Sequence, residues 1–129
     1  MSEITGSCLC GECQYESGAE PLNIRVCHCN QCQKATGSAF FPRVMIPLDS
    51  LKVIGPVGWF ASGSGLRRGF CTKCGSTLFS ERKSRNVVGV SLGTLDNADQ
   101  FDPTCHIWMS SKQQWLLFDD ALLQHQEGP

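Results

Sequence analysis

Cys8-Leu9-Cys10-Gly11 and Cys71-Thr72-Lys73-Cys74-Gly75 decide how this chain folds, because each offers two thiols from one tight turn. Two such turns can complete a tetrahedron around one ion, with Zn–S near about 2.3 Å. Four thiolates close the shell and leave no corner for a substrate. Cys8, Cys10, Cys71 and Cys74 therefore read as a structural zinc site that cross-links segments far apart in sequence. Gly11 and Gly75 follow the last cysteine of each pair, where a knuckle turn often needs φ > 0. The competing reading is a set of buried free thiols.

Between the two pairs lies Cys27-His28-Cys29-Asn30-Gln31-Cys32. Three thiolates from one short segment fill three corners of a tetrahedron. The fourth corner falls to a distant residue, to water or to a ligand. Three protein ligands plus an exchangeable position mark a catalytic zinc. Cys13, Cys105 and His106 are the candidates to close the shell, which would make this site structural as well. His28 sits between two ligands, so its ring is expected to point away from a metal they share. Cys8, Cys10 and Cys13 repeat the spacing of the triplet. Cys13 is thus either a ligand or a small core hydrophobe.

The chain has 129 residues, nine of them Cys, with 13 Gly and six Pro. That length fits a single domain, 1–129, and the turn formers favour short elements over long helices. An odd cysteine count argues against a pure disulfide framework. No stretch approaches the roughly 20 apolar residues of a membrane span. Met1-Ser2-Glu3-Ile4-Thr5 lacks the basic start and apolar run of a signal peptide. The expectation is a cytoplasmic protein with reduced thiols and no membrane partner. Eleven basic and 12 acidic side chains leave a formal charge of −1. Two zinc sites of four and three thiolates would take it to about −4. That disfavours a nucleic-acid partner, which needs a basic face.

Hydrophobic alternation and turn residues predict many short strands. Expected strands are 14–16, 22–27, 39–46, 51–54, 59–61, 66–71 and 76–80. The longest is expected at 86–95, with late strands at 105–109 and 114–118. Asn30 to Thr36 suits one or two helical turns, stopped by Gly37. Residues 95–99 read as a turn. The fold class is mainly β. Lys34, Arg43, Arg67, Arg68 and Lys112 are available to hold carboxylates, and Trp108 and Trp115 suit a core or a pocket wall.

Several strings resemble the glutathione-dependent formaldehyde-activating enzyme family, which includes the centromere protein V relatives. They are Gly6-Ser7-Cys8-Leu9-Cys10-Gly11, the run from Cys27 to Phe40, Arg68-Gly69-Phe70-Cys71-Thr72-Lys73-Cys74-Gly75-Ser76, Gly93-Thr94-Leu95-Asp96, and His106-Ile107-Trp108 through Ser111-Lys112. They occur in order over most of the chain. The resemblance implies a β-tent of short antiparallel strands stapled by zinc, similar to a small Rab exchange factor and chaperone. It implies two zinc ions per chain: a structural one on Cys8, Cys10, Cys71 and Cys74, and a labile, catalytic one on Cys27, Cys29 and Cys32. Glutathione is the implied thiol and formaldehyde the implied aldehyde, joined to S-hydroxymethylglutathione by a carbon–sulfur lyase in its synthetic direction. Two departures stand out. Cys13 occupies a usually aliphatic position, and Leu122-Leu123-Gln124-His125 replaces the usual Leu-Pro-Gln-aromatic ending.

A metal on the triplet would lower the pKa of an incoming thiol, and the thiolate would attack a small carbonyl carbon. The metal itself, or a nearby donor among Ser38, His106 and Lys112, would steady the developing oxyanion. The rival reading is a non-catalytic zinc module that binds a protein partner or carries the thiol adduct. A zinc-ribbon nucleic-acid binder is a third, weakened by the charge.

Overall fold

The expected short strands form in a computed structural model, which describes residues 3–129. Ile4–Ser7 (β1) and Gln14–Ser17 (β2) make an antiparallel pair, and Lys52–Ile54 (β5) adds to β2. A larger sheet contains Asn23–Cys27 (β3), Phe41–Pro47 (β4), Val57–Gly63 (β6), Leu66–Cys71 (β7), Thr77–Arg82 (β8), Val87–Ser91 (β9), Cys105–Ile107 (β10) and Leu123–Gln124 (β11). Its order is β11-β10-β3-β4-β9-β8-β7-β6. Pairing is antiparallel except at β10, which runs parallel to both β3 and β11. Asn30–Thr36 (α1) joins β3 to β4 and ends at Gly37, whose φ of 66° is left-handed and costs glycine little.

The core follows from strand alternation. In β2, Tyr15 and Ser17 point inward while Gln14 and Glu16 face solvent. Ile4 and Tyr15 share one buried cluster with Val44, Ile46, Leu78, Phe79, Val88 and Val90 of the larger sheet. Tyr15 meets Phe79 edge to face, with centroids 5.3 Å apart, and its hydroxyl bonds to Thr94 Oγ1 at 2.7 Å. Gly6 lies where any Cβ would collide with the Tyr15 ring and the Thr94 carbonyl. The phenol can therefore reach Thr94 only past a glycine.

β4 has two working faces. Val44 and Ile46 enter the core. Phe41, Arg43 and Met45 alternate onto the opposite side and line a cavity.

Two expectations are corrected. β9 stops at Ser91 and does not reach residue 95. Thr94 Oγ1 donates to the Ser91 carbonyl at 2.8 Å, and Leu92–Thr94 closes into a 3₁₀ turn, so a side chain takes over from the ladder. Residues 114–118 form no strand. Lys112 Nζ donates to the carbonyls of Gln113 and Leu116, and Leu116 N–H turns back to Gln113 O. The late pairing falls instead on β11. Strand β1 was not anticipated from the sequence. Among the described residues no helix is long and apolar enough to cross a membrane.

Candidate metal centres and the adjoining cavity

The β1–β2 turn and the β7–β8 turn meet at one end of the core. The sulfurs of Cys8, Cys10, Cys71 and Cys74 all lie within 4.8 Å of one another. Cys10 Sγ is 3.5 Å from Cys8 Sγ and 3.8 Å from Cys71 Sγ. Corners of a zinc–thiolate tetrahedron are about 3.8 Å apart, given its bond length, so the spacing fits. Backbone N–H groups of Lys73 and Cys74 both point at Cys71 Sγ (3.3 and 3.4 Å), and Cys13 N–H points at Cys8 Sγ (3.3 Å). Such donors favour the thiolate form a metal requires. The Ser76 hydroxyl, 3.1 Å from Cys74 Sγ, heads the bonds that bring this thiol down to about 5. Gly11 and Gly75 have φ of 83° and 79°, as the knuckle turns demand. Cys13 is fully buried in the core, outside the ligand group.

The triplet also converges, with the Cys27, Cys29 and Cys32 sulfurs mutually within 4.8 Å. Cys27 ends β3. Cys29 caps α1, and its sulfur accepts the Cys32 N–H at 3.3 Å. Bonds from Cys27 and Cys32 hold the Cys29 thiol far below its ordinary range, while bonds to Cys29 and Cys32 push Cys27 up. Binding a metal would release the protons the three thiols still hold. Among the described residues no fourth His, Cys, Asp or Glu joins the group.

These sulfurs open onto a cavity of about 490 Å³. Arg43, Arg68 and Arg82 line it, and no Asp or Glu does. Strand alternation explains the set. Leu66 and Arg68 of β7 face the cavity, while Arg67 turns to the other side, pairs with Glu81 at 2.9 Å and stacks over Trp59. Ser80 and Arg82 of β8 share the Arg68 side. Arg43 reaches in over Gly89, where a Cβ would meet its side chain at 2.8 Å. Arg68 is 8% exposed. Its Nη2 lies 3.8 Å from Cys32 Sγ, and its Nη1 finds no hydrogen-bond partner among the described residues. A buried guanidinium N–H left over costs free energy unless something accepts it. Trp108 closes one wall from a left-handed backbone with φ of 59°, unusual for a large side chain. A larger groove, about 580 Å³, runs over the outer face of the small sheet past Gln14, Lys52 and Val53. It gathers no ligating cluster.

The pairing of a four-sulfur cluster with a three-sulfur one over this cavity agrees with the family match. The family model of the glutathione-dependent formaldehyde-activating enzyme matches residues 3–111. The chain belongs to that family.

A Schizosaccharomyces pombe protein named as an uncharacterized lyase is 33% identical over 79 residues, which is 61% of this chain. The chain spans 58% of the length of that curated relative. A crystal structure of a Rhodobacter sphaeroides protein superposes with a TM-score of 0.61 at 24% identity, covering 77% of this chain and 96% of the other. That likeness supports the mainly β fold.

In this family member the other expected site residues lie outside the cavity lining. Ser38 is exposed just beyond α1, its N–H on Thr36 Oγ1 at 3.2 Å. The Lys112 ammonium is occupied by two backbone carbonyls, the nearer at 2.6 Å. His106 is buried, with Nε2 2.8 Å from Asp120 Oδ2 and Nδ1 3.0 Å from His28 Nε2. Both ring nitrogens are thus engaged away from the triplet. Cys105 is buried beside Cys27 and Cys32 but outside the ligand group. Burial, with lesser contributions from His106 and Lys112, lowers His28 to about 4, so this ring is neutral near pH 7. Arg82 and Asp120 were not singled out from the sequence. Alternation in β8 was the available signal for Arg82. Asp120 belongs to a tail whose position depends on tertiary pairing.

Proposed function

We propose that this protein is a zinc-dependent carbon–sulfur lyase, with S-hydroxymethylglutathione, the adduct of glutathione and formaldehyde, as substrate or product. Zinc held by Cys27, Cys29 and Cys32 would supply a lowered pKa to a bound thiol. A second zinc on Cys8, Cys10, Cys71 and Cys74 would be structural. The observation that carries the reading is the cavity itself: three convergent sulfurs beneath Arg43, Arg68 and Arg82, with no acidic side chain in the lining.

The arginines fit the substrate chemistry. Glutathione brings two carboxylates with its thiol, and planar guanidinium groups bind carboxylates through paired, charge-assisted bonds. The Arg68 Nη1–H, buried and without a partner among the described residues, is a donor already desolvated. In the synthetic direction the C–S bond forms as the carbonyl π bond opens. The thiol proton leaves to solvent and the new alkoxide takes one up. Because Arg68 stands nearest the sulfurs, it serves the developing oxyanion ahead of Ser38, His106 or Lys112. Phe41, Met45 and Trp108 limit water along the walls. A reducing, cytoplasmic setting suits the nine free cysteines.

The test is exchange kinetics on zinc-loaded protein with glutathione and formaldehyde. A rate above the uncatalysed exchange is expected, and equality with it overturns the enzyme reading for this pair. Arg68→Leu should raise KM for glutathione by about 10- to 100-fold, the equivalent of one charged hydrogen bond. The same variant should change KM for cysteamine, a thiol without a carboxylate, by less than about threefold. An equal rise in KM for both thiols would mean that Arg68 does not read the carboxylate; its part at the oxyanion would show separately, as a similar fall in kcat on both.

A further inference from the structure

His28 is fully buried and lies between two of the three triplet cysteines. Neighbouring side chains on extended backbone point to opposite sides. A ring anchored on one side therefore fixes how far Cys27 and Cys29 lean to the other. The backbone at His28 is tied as well. Its N–H donates to Ile107 O at 3.0 Å, and its carbonyl accepts Gln33 Nε2 at 2.8 Å.

With both rings neutral, the polarity of the anchor is set from its far end. The Asp120 carboxylate can only accept, so His106 Nε2 carries a hydrogen and donates to it. In neutral His106 that leaves Nδ1 as an acceptor, and His28 Nε2–H donates to it. Phe118 packs against both rings, with centroids 5.2 Å from His28 and 4.2 Å from His106. The other Asp120 oxygen accepts Leu122 N–H at 3.1 Å and starts the turn into β11. Beyond it, His125 N–H returns to His106 O at 2.9 Å. Asp120 is thus where the docked C-terminal segment and the histidine chain meet.

We infer that Asp120 and His106 are positioning residues, which hold the triplet cysteines in metal-binding geometry through the hydrogen-bond chain Asp120–His106–His28. The inference rests on the triplet's being a zinc site, as proposed above. It reassigns His106 from oxyanion donor to anchor, and it gives the C-terminal segment a task at the metal. Partners that orient metal-binding side chains from behind commonly change metal affinity by about 10- to 100-fold when removed.

The experiment measures zinc release to a chromogenic chelator from the full-length, zinc-loaded chain. Two phases are expected, a fast one from the triplet and a slow one from the four-cysteine site. Asp120→Leu keeps the side chain's bulk but cannot accept, and should speed the fast phase at least about tenfold while sparing the slow one. Asp120→Asn retains an acceptor oxygen and should stay within about threefold of the parent. With cobalt in place of zinc, the sulfur-to-metal absorption of the triplet should shift in the leucine variant and be restored in the asparagine one. Parent-like release from Asp120→Leu overturns the proposal, and so does equal damage from both variants. If the leucine variant also loses the slow-phase zinc, His106→Phe decides, since it keeps a ring but breaks both bonds; parent-like release there overturns the chain. One zinc per chain in the parent would sink the functional reading together with the anchor. Two zincs with an unaffected leucine variant would sink the anchor alone.

Discussion

Cys71→Ser should yield a chain with no cooperative folding transition at 25 °C. Cys71 is fully buried at the end of β7, and its sulfur collects the N–H groups of Lys73 and Cys74. A serine hydroxyl can occupy the space but is a poor zinc ligand at neutral pH. The loss would remove the link between the β1–β2 turn and the β7–β8 turn, 61 residues apart in sequence at Cys10 and Cys71. Structural zinc contributes on the order of 10 kcal/mol in small zinc peptides. A domain has only about 5–15 kcal/mol in all. The larger sheet cannot make up that difference, because several of its strands are only two to five residues long. Circular dichroism during thermal and urea titrations checks the outcome. Cys13→Ala is the control. Cys13 is equally buried and only a few residues from Cys8, yet it lies outside the ligand group. It should cost about 1–2 kcal/mol, keep its metal and melt cooperatively. A Cys71→Ser protein that melts like the control would show that the four sulfurs do not hold the fold.

This contrast also shows what could be read without coordinates. Ligand spacing within a turn is local chemistry, so the two cysteine pairs and the triplet were legible from the sequence. So were α1, bracketed by Cys29 and Gly37, and β7, which spans the expected 66–71. What eluded the sequence depends on contacts made at a distance. Residues 114–118 look strand-like, but the Lys112 ammonium bends their carbonyls into turns. β11 is two residues long and exists only because β10 offers an edge. Arg67 and Arg68 are adjacent and chemically alike, and only their register in β7 sends one to Glu81 and the other to the cavity. His106 was legible as a residue of interest, but its partner Asp120, fourteen positions away in a segment without periodicity, was not. Resemblance to the family supplied the expected substrate pair in advance, and nothing in strand pattern or spacing could have done so.

Cys32→Ser should part function from fold. Cys32 sits on α1, 7% exposed, with its sulfur facing Cys27, Cys29 and the Arg68 guanidinium. The substitution leaves both helix caps intact, because the N-cap acceptor is Cys29 and the C-cap is Gly37. It also leaves the four-cysteine ligand set unchanged. The new hydroxyl can accept from Arg68, so no buried charge is stranded. The expected stability loss is about 1–2 kcal/mol, one altered buried polar contact. Two thiols cannot hold zinc as three do, so zinc per chain should fall from two to one. Exchange of glutathione and formaldehyde should drop to the uncatalysed rate. Elemental zinc analysis beside the melting curve gives the reading directly. Two zincs retained would mean that another group completes the shell and that the triplet is not the open site. Wholesale unfolding would mean that it, too, is a structural clasp. Only loss of one zinc with a surviving transition fits a cage built to accept a guest.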